Sequence, residues 1–295
     1  MASKYSNEAD SLVMGEGVSI GEGTRFSGGR LVIGAGSTIG RHVEVHVTKE
    51  LALGNNAKIG DYAIIRGREI RIGREAYANH HAEIGGGSCF EESSQLDVGY
   101  WFHIGSYAMV NTAMPVRIGN EVGLGRMTNI YTHGAYLSEI DGFPVRFSPV
   151  SIGSRVWIPS ATVNPGVKIG DDVVIGVGSI VTRDIPSGSL ALGVPCKILK
   201  DGAFPVPVVA SDAVRRVRQI LQDQGISTDV RNGGPMLRVS GAVIHITNRT
   251  IEGDADATSE RARDLLRRHG IRFKVQVTGG RYHPWDEPEV TSGPN

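Results

Sequence analysis

The sequence predicts a mainly β fold, a left-handed parallel β-helix with a small C-terminal α+β domain, and three observations carry that expectation. An aliphatic residue followed by glycine recurs at Ile20, Ile33, Ile39, Leu53, Ile59, Ile72, Ile84, Val98, Ile104, Ile118, Leu124, Ile152, Ile169 and Ile175. Steps of six link 33 to 39, 53 to 59, 98 to 104, 118 to 124 and 169 to 175, and a further six reaches Val45, Ile65, Val110, Ile130 and Val181. After each such triplet the next begins about eight residues on, which gives a period near 20.

Each hexad supplies a short flat strand and a corner, with the aliphatic side chain inward and a glycine that can take positive φ without strain. Three hexads close one triangular turn, and about eight turns stacked ~4.8 Å apart pair their backbones from coil to coil. A period of six with glycine in every unit fits neither the 3.6-residue helical period nor an amphipathic stripe. Residues 1–12 read as an N-terminal segment and 13–200 as the β-helix. Residues 205–285 read as the α+β domain, bounded by Pro205 and Pro207. The tail, 286–295, reads as disordered.

Two stretches break the register, and interruptions of a repeat are where function is commonly grafted. One is 74–95, with Asn79, His80, His81 and Glu83; the other is 133–149, where 22 residues separate Ile130 from Ile152 and a loop should protrude. In the C-terminal unit Ser211 and Asp256 read as N-caps of two helices. Strands are expected at 236–239, 242–246 and 271–277. Seven arginines, at 215, 216, 218, 261, 263, 267 and 268, make that unit locally basic, which reads first as a solvated helix face and second as a dock for an anionic partner.

The 295 residues carry 31 Lys and Arg against 31 Asp and Glu, so nothing draws the chain to nucleic acid or an anionic membrane. Its expected partners are small molecules and copies of itself. The 40 glycines are neither collagen-spaced nor clustered and so serve recurrent turns. Two cysteines are too few for a disulfide framework, and the opening MASKYSNEAD lacks the apolar stretch of a secretion signal, which points to the cytoplasm. No apolar run approaches a membrane span.

The stretch 150–200, VSIGSRVWIPSATVNPGVKIGDDVVIGVGSIVTRDIPSGSLALGVPCKILK, resembles the last coils of the maltose, galactoside and nodulation-factor O-acetyltransferases of the hexapeptide-repeat family. The resemblance implies a homotrimer that binds acetyl-CoA as acyl donor in grooves between subunits, without a metal. It also implies that a loop histidine before the Val-Trp-Ile coil acts as general base, and the histidine of the corresponding loop is His133. Asn111 resembles an asparagine at the acceptor site, where Tyr131, Glu139 and Asp141 would also lie. Trp157 resembles the tryptophan bordering the pantetheine slot, and Ser160, Val177, Thr182, Arg183 and Lys197 fall where the family lays CoA. Arg183 stands where lysine is common, and a guanidinium can grip phosphate as well as an ammonium. The family's N-terminal helical segment is absent, and nothing resembles the C-terminal unit.

Acyl transfer from a thioester to a hydroxyl needs an acceptor made nucleophilic and a donor held in place. His133 can supply the first, with Glu139 or Asp141 fixing its tautomer. Alternatively, an N-acyltransferase for an amino sugar would use His80 or His81 as base. A γ-type carbonic anhydrase would hold zinc with three converging histidines, and His80, His81 and His103 are candidates. Those anhydrases, however, show histidine directly after an Ile-Gly pair and again in Leu-His-Gly, and neither pattern occurs here. A noncatalytic trimeric scaffold is the remaining alternative. Cys196 reads as a packed thiol rather than a nucleophile.

Overall fold

The computed structural model describes residues 5–230 and 234–285. The chain divides into two compact units, the first running to Pro205 and the second starting at Val206. The expected disordered tail, 286–295, lies outside the described residues.

The first unit is a left-handed parallel β-helix of about 9 turns. One face stacks two- and three-residue strands from Ser19–Ile20 through Trp157–Ile158 to Leu190–Leu192. The other two faces form one continuous sheet, because the strands Ser6–Met14, Arg25–Ile33, Glu44–Leu53 and Ile64–Ile72 bend through the corner between them. That corner is where the sequence carries its extra residues: the ladder shifts register between Val47 and Glu50, while Val45, Val47, Leu51 and Leu53 all stay inward.

Thirteen of the fourteen aliphatic residues that precede glycine are buried, each no more than 4% exposed except Ile20, which sits half-covered in the first turn. The prism begins earlier than the sequence suggests. Ser6–Met14 pairs residue by residue with Arg25–Ile33, so the coil takes in most of the segment set apart as 1–12 and adds a turn to the expected eight. That segment lacks the aliphatic-glycine signature, which is why its pairing is invisible in the sequence.

The recurrent glycines do different work from that expected. A Cβ on Gly34 would lie 2.4 Å from the backbone of Gly54, and one on Gly54 would lie 2.5 Å from the amide nitrogen of Arg74. These glycines let one coil approach the next. Positive φ falls instead two residues later, on His42, Asn56, Tyr62, Glu75, Tyr107, Glu121, Met127, Arg155 and Asp172, at φ between 53° and 60°. For such side chains the left-handed conformation costs ~1–2 kcal/mol. Most of these corner amides recover a bond to the preceding coil, as Tyr62 N–H donates to the Arg41 carbonyl at 2.9 Å and Asn56 N–H to that of Ala35 at 2.8 Å. On one edge, the rings of His42, Tyr62, His81 and Tyr107 stack in a column with centroids 4.9–5.2 Å apart.

The second unit is an antiparallel six-stranded sheet with two helices, α1 (Ala210–Gln222) and α2 (Ala257–Arg268). Val214, Val217, Ile220 and Leu221 of α1 and Ala262 and Leu266 of α2 join Leu237, Val239, Ile244 and Ile251 in its core. Ser211 lies inside α1, whose cap position is Val209, so the expected Ser211 cap does not form. Asp256 does cap α2: its carboxylate accepts from the amides of Thr258 and Ser259, and Ser259 returns the bond. The strand expected at 271–277 is confined to Val275–Thr278, and the sheet gains Thr250–Asp254 and Arg281–Pro284. The basic residues are largely neutralised locally, Arg215 by Asp212, Arg263 by Glu260, and Arg267 and Arg268 by Asp264, the arrangement of a solvated helix face. Asp256→Ala is expected to lower the stability of this unit by ~0.5–2 kcal/mol, measurable by chemical denaturation. Among the described residues no helix is long and apolar enough to cross a membrane.

Candidate active site

The protruding loop leaves the prism after Asn129–Ile130 and returns at Val150–Ile152. Its stem is a two-strand antiparallel ladder in which His133–Gly134 faces Arg146–Phe147. The ladder places the Phe147 ring parallel to the His133 imidazole, with centroids 5.4 Å apart. The loop tip is exposed and carries a short 3₁₀ turn, Glu139–Asp141.

One coil earlier, Met109–Asn111 pairs with Asn129–Ile130, which sets Asn111 beside the start of the loop. Asn111 is 1% exposed and fully engaged. Its Nδ2 donates to the carbonyls of Gly85 and Gly87, both at 3.0 Å. The amide is thereby oriented, and Oδ1 faces the Thr132 hydroxyl at 2.5 Å and His133 Nδ1 at 2.9 Å. A carbonyl oxygen can only accept, so Nδ1 carries the proton and Nε2 keeps its lone pair. Thr132 is itself held, since its Oγ1 accepts from the Met114 amide at 3.2 Å. A Cβ on Gly87 would lie 3.4 Å from His133 Nε2, so the basic nitrogen opens toward a position kept bare.

Glu139 and Asp141, expected as tautomer-fixing groups, are exposed at the loop tip, and Asn111 makes the Nδ1 hydrogen bond instead. Tyr131 is 37% exposed beside this site, its amide donating to the Val163 carbonyl at 2.9 Å. Thr132, Gly87 and Phe147 escape sequence reasoning. The GGG run at 85–87 and the one-coil offset that sets Asn111 level with Tyr131, directly before Thr132, are the signals that could have found them.

The remaining candidates do not gather at His133 within the chain. Strands Met109–Asn111, Asn129–Ile130, Ala161–Val163 and Ser179–Val181 stack as one face. Asn111 and His133 follow this face on one edge, and Thr182 and Arg183 follow it on the same edge, two coils along. Ser160 and Val177 precede the face on its opposite edge, where the Gly178 amide donates to the Ser160 carbonyl at 2.8 Å. Trp157, on the adjoining face, is 43% exposed. Its ring lies over Gly123, where a Cβ would meet Cε3 at 2.5 Å. Lys197 begins the terminal strand Lys197–Lys200, antiparallel to Leu190–Leu192. Cys196 packs against the core, and burial pushes its thiol pKa up, away from nucleophile chemistry.

His80 and His81 lie on an ordinary corner rather than in an interruption. The strands Tyr77–Ala78 and Glu83–Gly85 keep the register, and the extra chain is 86–94. The His81 ring is stacked between Tyr62 and Tyr107, and His80 Nδ1 lies 3.3 Å from the Ser106 hydroxyl. His103 stacks on Tyr77. Among the described residues, no three His, Cys, Asp or Glu side chains converge as a metal site.

No protein-family model matches the chain. It is 56% identical over 54 residues to the galactoside O-acetyltransferase of Escherichia coli (strain K12), covering 18% of this chain and 27% of that protein. It is 34% identical over 111 residues to a Saccharomyces cerevisiae protein provisionally named an acetyltransferase, covering 36% of this chain and 56% of that one. The chain thus spans only part of the length of these curated relatives. Among solved structures, UDP-N-acetylglucosamine acyltransferase from Campylobacter jejuni is similar with a TM-score of 0.53 and 17% identity, over 75% of this chain and 84% of that one, a likeness of fold. The resemblance of the chain to hexapeptide-repeat acetyltransferases is therefore carried by sequence over part of its length.

Proposed function

We propose that this chain, which resembles the hexapeptide-repeat acetyltransferases, moves an acetyl group from acetyl-CoA to a hydroxyl of a sugar or sugar-like acceptor. The observation that carries the reading is the bond from His133 Nδ1–H to a buried, doubly anchored Asn111, which leaves the lone pair on Nε2, on the side that faces Gly87. In the reaction, Nε2 takes the acceptor hydroxyl proton as that oxygen attacks the thioester carbonyl. The tetrahedral adduct then collapses with loss of the CoA thiolate, which receives the proton from His133. The ester is the product, and no covalent enzyme intermediate is needed.

The separation of the two edges of the face supports a homotrimer as the working form. Trp157, on the adjoining face, and Ser160 and Val177, on the opposite edge, are set apart from the edge that carries His133. Packing one protomer's edge against its neighbour's would bring donor-holding residues and base together. Arg183 and Lys197 would meet CoA phosphates, with Thr182 beside them. A cytoplasmic location agrees with a CoA substrate.

The test is thiol release from acetyl-CoA by the full-length protein, with a panel of galactosides, glucosides and amino sugars. Release that depends on an acceptor supports the proposal, and its absence across the panel rejects it. In the same assay Arg183→Ala is expected to raise the KM for acetyl-CoA about fivefold, through loss of a charge-assisted contact, with kcat little changed. An unaltered donor KM would place the groove elsewhere.

A further inference from the structure

The interruption at 86–94 reaches two places at once. At its start, Gly87 offers its carbonyl to Asn111 and faces His133. Further on, Phe90 turns toward the earlier coils, where its ring meets that of His46 edge to face at 5.2 Å. Phe90 forms one wall of a cavity of ≈ 470 Å³ lined by outward-facing residues of the first coils, among them Arg25, Ser27, Glu44, His46 and Arg66.

The polar groups of this cavity are held in place. Glu44 accepts from Arg25 Nη2 at 2.8 Å and from Arg66 Nη2 at 2.6 Å, and Ser27 Oγ lies 2.8 Å from His46 Nδ1. The hydrogen bond from Arg66 holds the Glu44 carboxyl below its usual range, so it remains an ionised acceptor. Flat guanidinium and carboxylate edges beside a ring that is 44% exposed suit a pyranose, whose C–H face covers the aromatic while adjacent hydroxyls bridge the charged pair. The two arginines share a carboxylate, and Glu8 also lines the cavity, so the site favours an uncharged glycan over a polyanion.

The cavity lies on the same face as the base. Arg66, Gly85, Asn111 and Tyr131 follow one another coil by coil. At ~4.8 Å per coil, Arg66 and His133 are roughly 14 Å apart along the prism, and Ser27 is two coils farther. A monosaccharide at His133 does not reach that far, whereas a chain of several sugars does.

Resting on the acyltransferase reading above, we propose that the cavity walled by Phe90 is a distal sugar subsite, and that the acceptor is an uncharged oligosaccharide lying along this face with its reacting unit at His133.

The experiment measures kcat/KM of the full-length protein for maltose-, chitin- and dextran-derived oligosaccharides of one to six units, with acetyl-CoA saturating. In at least one series, kcat/KM is expected to rise by about tenfold or more between one unit and four. In Phe90→Ala that advantage should shrink to about twofold, with an unchanged thermal melt. Transfer without length dependence in any series overturns the subsite and leaves the transferase reading standing. If no acceptor releases thiol, the transferase reading falls, and calorimetric titration of the same oligosaccharides onto the protein judges the cavity alone. Tighter binding of longer chains that Phe90→Ala abolishes then retains it as a glycan site, and equal binding of short and long chains removes it.

Discussion

Replacing His133 with alanine is expected to lower turnover by about 10² to 10⁴, the range a positioned general base supplies, and to leave acetyl-CoA affinity nearly unchanged. The His133 ring is stacked on Phe147 in the stem of an exposed loop, outside the aliphatic core, so its loss should not disturb the winding of the prism. Steady-state kinetics with an equilibrium measurement of CoA binding separate the two effects. A variant with native kcat would remove His133 from the chemistry and promote His80 or His81, despite the two tyrosine rings that enclose His81.

The second large effect is expected at Asn111. Alanine there deprives the Gly87 carbonyl and His133 Nδ1 of the Asn111 amide, and removes one bond each from the Gly85 carbonyl and the Thr132 hydroxyl, which keep the Thr112 and Met114 amides. Stability should fall by about 1–3 kcal/mol, the cost of unsatisfied buried polar groups. Loss of the oriented tautomer should separately lower kcat by about 10- to 100-fold, in line with other partners that orient a functional histidine. A purely structural Asn111 would lower the melting temperature while the folded enzyme kept its kcat. The kcat of the folded fraction, measured well below the melt, decides between the two roles.

The winding was legible because its signal is one-dimensional. An inward aliphatic at every sixth residue needs no tertiary knowledge, and Ile33, Ile104, Ile118 and Leu124 are buried as the spacing requires. Legibility failed where small residues hold the register. Ala76, Ala78 and Ala82 fill the interior of the coil before Ile84, so the sequence seemed broken at 74–95 when the excursion is only 86–94. The site was legible as residue types, a loop histidine and a corner asparagine. Their mutual bond was not, because 111 and 133 meet only through coil register. Glu139 and Asp141 seemed better partners by proximity in sequence, yet the stem carries them out to the tip. The glycines that follow an inward aliphatic serve close contact between coils rather than positive φ, which corner glycines such as Gly17, Gly23 and Gly36 do adopt, because contact between coils is a property of the stack and not of the hexad.

The left-handed corners have a consequence for how such a protein can change over evolutionary time. Their conformation is sustained by amide bonds to the neighbouring coil, and their side chains radiate outward, so imidazole, phenol, thioether, guanidinium and carboxylate all occupy equivalent stations. Exchanging one for another redecorates an edge while the interior stays untouched. New recognition surfaces can therefore be acquired one corner at a time, and the column formed by His42, Tyr62, His81 and Tyr107 is an edge on which four successive stations have come to match.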